Sequence, residues 1–137
     1  MNYTFLKLGS FFALLGVILG AFGAHGLENH LTADQLDTFD TGIRYQFYHA
    51  LALILLAILA APMKNNQLLR YAGWLFTAGI ICFSGSIYLL ACRYFLGIES
   101  WWWLGPITPI GGTFFIVGWG MLLYAAMKSD TWLALIR

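Results

Sequence analysis

Four long stretches of the chain contain no Asp, Glu, Lys or Arg. They cover residues 8–27, 45–63, 71–92 and 100–127. A helix rises about 1.5 Å per residue, so about 20 residues cross the roughly 30 Å of hydrocarbon in a bilayer. The pattern therefore predicts one membrane domain over residues 1–137, an all-α, integral membrane four-helix bundle. Its spans are predicted at about 6–27, 44–63, 71–93 and 108–128.

The fourth stretch is longer than a single crossing requires. Thr108 and Pro109 have the order of a helix N-cap followed by a first-turn proline. We therefore expect the fourth helix to begin at about residue 108.

The segment before the second span has the pattern of an amphipathic helix. Thr32 and Gln35 have the spacing of a capping box, which opens a helix at its first turn. Asp40 and Arg44 follow at the i,i+4 spacing that favours an ion pair. A helix from this box through the second span exceeds the hydrocarbon thickness. It either projects outward or bends at Gly42 to lie on the membrane surface.

Composition supports a membrane protein and changes little else. Hydrophobic residues make up 61% and charged residues 9% of the chain, against about 45–50% and 25% in soluble domains. A net charge of +1 gives no basic surface for nucleic acid. Cys82 and Cys92 are about 15 Å apart along one helix, too far for a disulfide. We expect no metal and no cofactor.

Lysine and arginine are distributed unequally between the two sides of the predicted spans. With both termini inside (N-in/C-in), five lie on the inner side: Lys7, Lys64, Arg70, Lys128 and Arg137. Only Arg44 and Arg93 lie outside. By the positive-inside rule this predicts cytoplasmic termini and an outer amphipathic helix leading into the second span.

Small residues recur along one face of the first span. They are Gly9, Ala13, Gly16, Gly20 and Gly23. Small residues at this spacing let helix backbones approach closely. We favour packing within the bundle over a dimer interface, because a four-span bundle already needs close helix contacts. Gly111 and Gly118, one heptad apart on the fourth span, fit the same interpretation.

Polar residues collect where the spans meet the outer boundary. The candidate ligand-binding residues there are His25, Glu28, Arg44, Tyr45, Tyr48, His49 and Thr108. We expect His49 about one turn inside the hydrocarbon, where an ionisable group needs a partner. Two interpretations stay open: a binding pocket, or an internal hydrogen-bond network that pins the helix ends, with Arg44 paired to Asp40. In either case we expect Arg44 and His49 to project into one shared network with the end of the first span and the turn at residues 105–112. His25 and His49 could also bind haem, although no supporting ligand motif accompanies them.

Four motifs resemble one known family over nearly the whole chain. They are GAFGAHGL (20–27), TGIRYQFYHAL (41–51), FSGSIYL (83–89) and GPITPIGG (105–112). The family is the small bacterial inner-membrane family of unknown function exemplified by YgdD and YwdK, domain-of-unknown-function family 423, which is similar to eukaryotic transmembrane protein 256. The resemblance implies a four-span protein of the cell inner membrane and implies no reaction, substrate or cofactor.

Three classes of function are compatible with these features. We rank first a non-enzymatic structural or accessory component of the membrane or of a larger complex. A lipid-, quinone- or haem-binding protein and an oligomeric small-solute or ion permease are the alternatives. We expect no catalytic residues, because no serine or cysteine has an evident base nearby. The expected partners are membrane lipids and either further copies of the chain or a larger membrane complex.

The charge distribution makes a direct prediction about sidedness. In a variant lacking Cys82 and Cys92, a cysteine at Asn29 should react with an impermeant thiol reagent added to intact cells. A cysteine at Asn65 should react only after the cells are opened. The reverse pattern would invert the predicted topology.

Overall fold

A computed structural model describes residues 2–60 and 67–128. Within them the chain is helical and contains no strand. The helices are α1 (Tyr3–Ala21), α2 (Ala33–Leu59), α3 (Gln67–Gly79), α4 (Gly85–Ala91), α5 (Arg93–Leu96) and α6 (Leu104–Met127). Two single π-helical turns, Phe22–Gly26 and Ile80–Ser84, extend α1 and join α3 to α4.

Four helical segments in the described part are long and apolar enough to cross a membrane. They are Tyr3–Gly26, Ala33–Leu59, Gln67–Ala91 and Leu104–Met127. The all-α, four-helix membrane bundle is therefore confirmed. Residues 61–63, at the predicted end of the second span, and Lys64 and Arg137 lie outside the described residues.

The start of α2 follows from its sequence. Thr32 accepts from the Gln35 backbone N–H at 3.3 Å, and the Gln35 side chain accepts from the Thr32 N–H at 2.9 Å. This confirms the capping box. The helix continues for 27 residues, about 40 Å, without interruption at Gly42. Of the two alternatives, the structure therefore has the extended helix rather than a break at Gly42.

The predicted start of the fourth helix is wrong. α6 begins at Leu104, so Pro106 occupies the first turn and Pro109 lies inside the helix. A proline in the first turn removes an N–H that has no helical partner. Thr108 caps nothing; its hydroxyl is 2.7 Å from the hydroxyl of Ser86 on α4. Either Pro106 or Pro109 could occupy the first turn of this helix. Because the helix begins at Leu104, Pro106 lies in the first turn and Pro109 does not.

The glycine face of α1 lies against α2. A methyl group added at Gly9 would come within 2.7 Å of the Ala50 carbonyl oxygen. At Gly16 it would come within 3.0 Å of the Phe47 ring, and at Gly23 within 3.0 Å of the Phe39 ring. The small residues thus bring the two backbones together, as in small-xxx-small packing.

The α6 glycines bring that helix close to the third span in the same way. Gly111 lies directly on the Phe83 backbone, and the Phe76 ring lies within 2.7 Å of where a Gly118 methyl would be. In return, Phe115 of α6 fills the space over Gly79. These reciprocal fits set the height of α6 relative to the third span.

The structure predicts which glycines tolerate a methyl group. Gly9→Ala should lower the melting temperature in mild detergent, because the methyl meets the α2 backbone, which cannot move aside. The cost should be about 1–3 kcal/mol, as for other overpacked sites. Gly20→Ala should be neutral or slightly stabilising, because its nearest neighbour would be Ile43 at 4.0 Å and alanine favours helix. Equal losses at both positions would contradict the observed packing.

Candidate functional site

His49 lies at the centre of the bundle, not near its outer edge. Its ring stacks on Phe115 with centroids 3.5 Å apart and planes 9° apart. Phe115 is residue 12 of the 24 in α6, so it lies near the middle of that span. The Phe76 ring lies 5.4 Å away on the other neighbouring span. His49 therefore lies level with the middle of α6, deeper within the bundle than the single turn expected.

Both ring nitrogens of His49 have partners. Nδ1 is 2.7 Å from the Tyr45 carbonyl oxygen, which only accepts, so Nδ1 carries the proton. Nε2 then accepts from the indole N–H of Trp119 at 3.0 Å. A buried histidine (4% exposed) is thereby satisfied in its neutral form, and it links α2 to α6. Neither nitrogen is free to bind haem iron.

An aromatic groove opens beside this pair toward the surrounding bilayer. Its volume is about 740 Å³. It is lined by Tyr45, Tyr48, His49, Phe83, Gly112, Phe115, Ile116 and Trp119. The Tyr45 ring stands 4.7 Å from the Phe83 ring, and Tyr48 is 59% exposed at the groove margin. We call this feature the α2–α6 groove.

A second set of polar groups ties the spans together. Gln46 of α2, 2% exposed, donates to the Phe12 carbonyl of α1 at 2.8 Å. It accepts from the Tyr88 hydroxyl of α4 at 2.8 Å. Ser86 and Thr108 join α4 to α6. With the His49–Trp119 bond, these bonds connect all four spans through polar side chains, of which Gln46, His49 and Ser86 are buried.

Arg44 takes no part in the hydrogen bonds that connect the four spans. Its guanidinium is 2.8 Å from the Asp40 carboxylate and 3.3 Å from that of Asp37, all on the exposed face of α2. The i,i+4 pair is confirmed. The hypothesis that Arg44 and His49 share one network is wrong, because Arg44 turns toward the start of its own helix, as long helical side chains do.

The remaining predicted residues are also separated. His25 is exposed on the π-helical turn after α1. Glu28 lines a smaller cleft of about 330 Å³ with Asp40 and Phe39, between the C-terminal end of α1 and the N-terminal part of α2. Of the predicted set, the structure brings Tyr45, Tyr48 and His49 together at the groove. Thr108 instead bonds to Ser86 and so joins α6 to α4.

Sequence reasoning missed Gln46, Tyr88, Phe115 and Trp119 as participants. Gln46 carried a usable signal, since a primary amide within an otherwise apolar span needs partners. The two aromatic residues of α6 gave none, because that helix is apolar on every side. No group of three or more histidine, cysteine or acidic side chains is arranged to hold a metal ion anywhere in residues 2–60 and 67–128.

Comparison with known proteins fixes the family. The family model described as "Protein of unknown function (DUF423)" matches residues 19–112, which include α2, the third span and most of the groove. The chain belongs to the DUF423 family. No solved structure matches it.

Curated relatives of this DUF423 protein are membrane proteins of similar length. The UPF0382 membrane protein YwdK of Bacillus subtilis is 46% identical over 91% of this chain and 97% of its own. SSP2132 of Staphylococcus saprophyticus is 44% identical over 91% and 98%. A UPF0382 membrane protein of Haemophilus influenzae is 41% identical over 93% and 94%. The expected family is thereby confirmed, and with it a membrane protein of a family without an assigned function.

Two buried serines on the third span give a matched test of the interior. Ser84 is fully buried, and its hydroxyl has no hydrogen-bond partner in the described structure. Ser84→Ala should therefore leave the melting temperature unchanged or raise it. Ser86→Ala removes the bond to Thr108 and should cost about 0.6–1.7 kcal/mol, the range for such bonds between membrane helices. Greater destabilisation by Ser84→Ala would show an unseen partner.

Proposed function

We propose that this protein is a non-enzymatic accessory protein of the bacterial inner (plasma) membrane that binds an apolar, membrane-soluble molecule in the α2–α6 groove. The groove itself is the observation that carries the proposal. Binding sites for small molecules typically occupy about 300–1,000 Å³, with apolar walls and a few placed polar groups. At about 740 Å³, with two tyrosines among aromatic walls, the groove fits that description.

The groove's walls are held in place independently of any occupant. The His49 ring is fixed by its two hydrogen bonds and by the Phe115 stack. Phe115 is in turn seated over Gly79. A site built on such rigid, mutually packed groups loses little entropy when a ligand enters.

A purely structural role is the second candidate. Large apolar side chains are exposed on all four spans, among them Leu14, Leu55, Ile81 and Leu123. Such surfaces suit lipid contact or a larger membrane complex, and further copies of the chain could cover them. A permease receives less support, because the interior polar groups pair with one another rather than line a path.

The distribution of basic residues supports a proposed orientation of the spans in the membrane. Lys7, Arg70 and Lys128 stand at one end of the described spans, at the beginning of α1 and α3 and just after α6. This distribution favours cytoplasmic termini. Under that assignment the Asp37–Asp40–Arg44 cluster faces the outer side.

Two glycines of α6 provide a test of groove binding. Gly112 lines the groove, and a methyl group there would meet only Phe83, at 3.7 Å. Gly112→Leu should place a bulky side chain in the groove beside Phe83 and displace any copurifying molecule, with little change in melting temperature. Gly120, on the same helix with nothing within 4 Å, is the control, and Gly120→Leu should retain the molecule. Native mass spectrometry of both variants in mild detergent measures the difference.

Two results would contradict the proposal. Identical bound-molecule profiles for the two variants would remove the groove as a binding site. A Gly112→Leu variant that changes from dimer to monomer without losing a small molecule would assign the groove to contact between copies.

A further inference from the structure

Six large apolar side chains are exposed close together in the chain between the third and fourth spans. They lie on the short helix α5 and on the segment that follows it, and each is between 42% and 81% exposed: Tyr94, Phe95, Leu96, Trp101, Trp102 and Trp103. We call residues 93–103 the aromatic connection. A concentration of exposed apolar side chains on a folded protein marks contact with another protein or with a membrane.

The aromatic connection has a defined backbone that fixes its side chains. Gly97 ends α5 in the left-handed conformation, with a φ of 67°. The Ile98 backbone N–H donates to the Arg93 carbonyl at 2.9 Å, and the Trp101 N–H donates to the Ile98 carbonyl at 3.0 Å. The Trp101 and Trp103 rings stack with their centroids 5.3 Å apart. A surface held in this way loses little entropy when a partner covers it.

The lengths of the two flanking spans locate the aromatic connection along the membrane normal. Gln67–Ala91 and Leu104–Met127 contain 25 and 24 residues, which is about 36–38 Å each at the standard helical rise. The hydrocarbon core is about 30 Å thick, and the bilayer with its headgroups is about 40–45 Å thick. A span of this length that is centred in the membrane ends within the headgroup layer. The aromatic connection joins two such ends, so it begins and ends in that layer, whichever leaflet it faces.

The residue types of the aromatic connection match the headgroup layer. Tryptophan and tyrosine combine an apolar ring with one polar N–H or O–H, and both are enriched where a bilayer meets water. The only charged residues in the connection are Arg93 and Glu99, one of each sign. The Arg93 guanidinium lies 4.7 Å from the centroid of the Tyr94 ring and donates to the Tyr94 hydroxyl at 2.9 Å. Without net charge, the connection suits a lipid interface through its rings and not through attraction to anionic lipids.

A neighbouring connection at the same end of the bundle has the opposite character. The His30 ring, between α1 and α2, lies 5.1 Å from the Phe95 ring, and Leu31 packs in one cluster with Ala91. Residues 28–38 nevertheless contain no Phe, Trp or Tyr and include three acidic residues. The aromatic surface is therefore confined to one side of this end, as expected if one connection lies in the interface while the other stands in water.

We propose that residues 93–103 are an interfacial membrane anchor, whose aromatic side chains insert among the lipid headgroups of one leaflet and hold the α4–α6 side of the bundle at a fixed depth. Trp102, 81% exposed, is the main contact residue. The lipid leaflet is favoured over a second copy of the chain, because the surface continues into the membrane-facing side of α6. Ile110 and Val117, one and two heptads after Trp103, are exposed there.

A spin label measures the depth of the aromatic connection in lipid nanodiscs, where both faces of the membrane meet the same solution. In a variant lacking Cys82 and Cys92, Ser100→Cys carries the label in the aromatic connection, and Asn29→Cys carries it in the neighbouring one. Both positions are exposed. Oxygen concentrates in the membrane, whereas a neutral nickel chelate stays in water. The ratio of oxygen accessibility to nickel accessibility should be several-fold higher at Ser100→Cys than at Asn29→Cys.

Removal of the rings should move the label at position 100 toward water. Trp102→Ala should lower its accessibility ratio, and replacement of Trp101, Trp102 and Trp103 together by alanine should lower it to the value at Asn29→Cys. Trp102→Tyr retains an interfacial ring and should keep the ratio. Tyr3→Ala removes an exposed ring at the start of α1, at the opposite end, and is the control that should change nothing. Circular dichroism checks that each variant remains helical.

Three results would reject the anchor. The first is a ratio at Ser100→Cys as low as that at Asn29→Cys. The second is a high ratio in anionic nanodiscs only, which would assign the contact to Arg93 instead of the rings. The third is shielding from both reagents with dipolar broadening between labels, which would show that a second copy covers the surface. An equal, high ratio in neutral and anionic nanodiscs that falls in Trp102→Ala supports the anchor.

Discussion

A primary amide buried inside a bundle of apolar spans has no water to bond, so it must find its partners within the protein. Gln46 does so by donating to the Phe12 carbonyl and accepting from the Tyr88 hydroxyl. One side chain thereby fixes the relative heights of three spans. The close approach of α1 to α2 is needed for the first of these bonds. It is permitted by the glycine beside it, Gly16, whose space the Phe47 ring occupies. Polar satisfaction and small-residue packing are thus two requirements of one arrangement.

The groove is a consequence of that arrangement. α6 packs mainly on the third span, where Gly111 and Gly118 accept Phe83 and Phe76. It reaches α2 chiefly through the His49–Trp119 bond and the stack on Phe115. Two helices that are bridged at one level and not packed along their length leave a cleft between them. That cleft lies level with the middle of α6, because the bridging residue does. A cleft that opens between two apolar spans at this level is entered sideways, between the helices, rather than from either end of the bundle.

Much of the fold was predictable because its signals are local. Charge-free stretches locate the spans, Thr32 and Gln35 locate the start of α2, and Asp40 with Arg44 form the expected ion pair. The site was less predictable, because membrane helices that are apolar all round carry no periodic signal of which face is buried. The depth of His49 depends on how Phe115 and Phe76 meet it across spans, and that long-range register cannot be read from one helix. Grouping Arg44 with His49 failed for the same reason: five residues apart on one helix, they face different surroundings.

The π-helical turn Ile80–Ser84 has a geometric consequence for the third span. A π turn accommodates one residue more than an α turn, and one residue corresponds to about 100° around a helix axis. The α3 part of the span therefore presents Phe76 to His49, while the α4 part presents Tyr88 to Gln46 and Ser86 to Thr108. Without the extra residue, a straight α-helix would rotate one of these sets away from its partners. The chain length between Phe76 and Tyr88 is thus as constrained as the identity of either residue. A one-residue insertion or deletion there would break the phase between the two halves of the bundle, although it would leave hydropathy and span length almost unaltered.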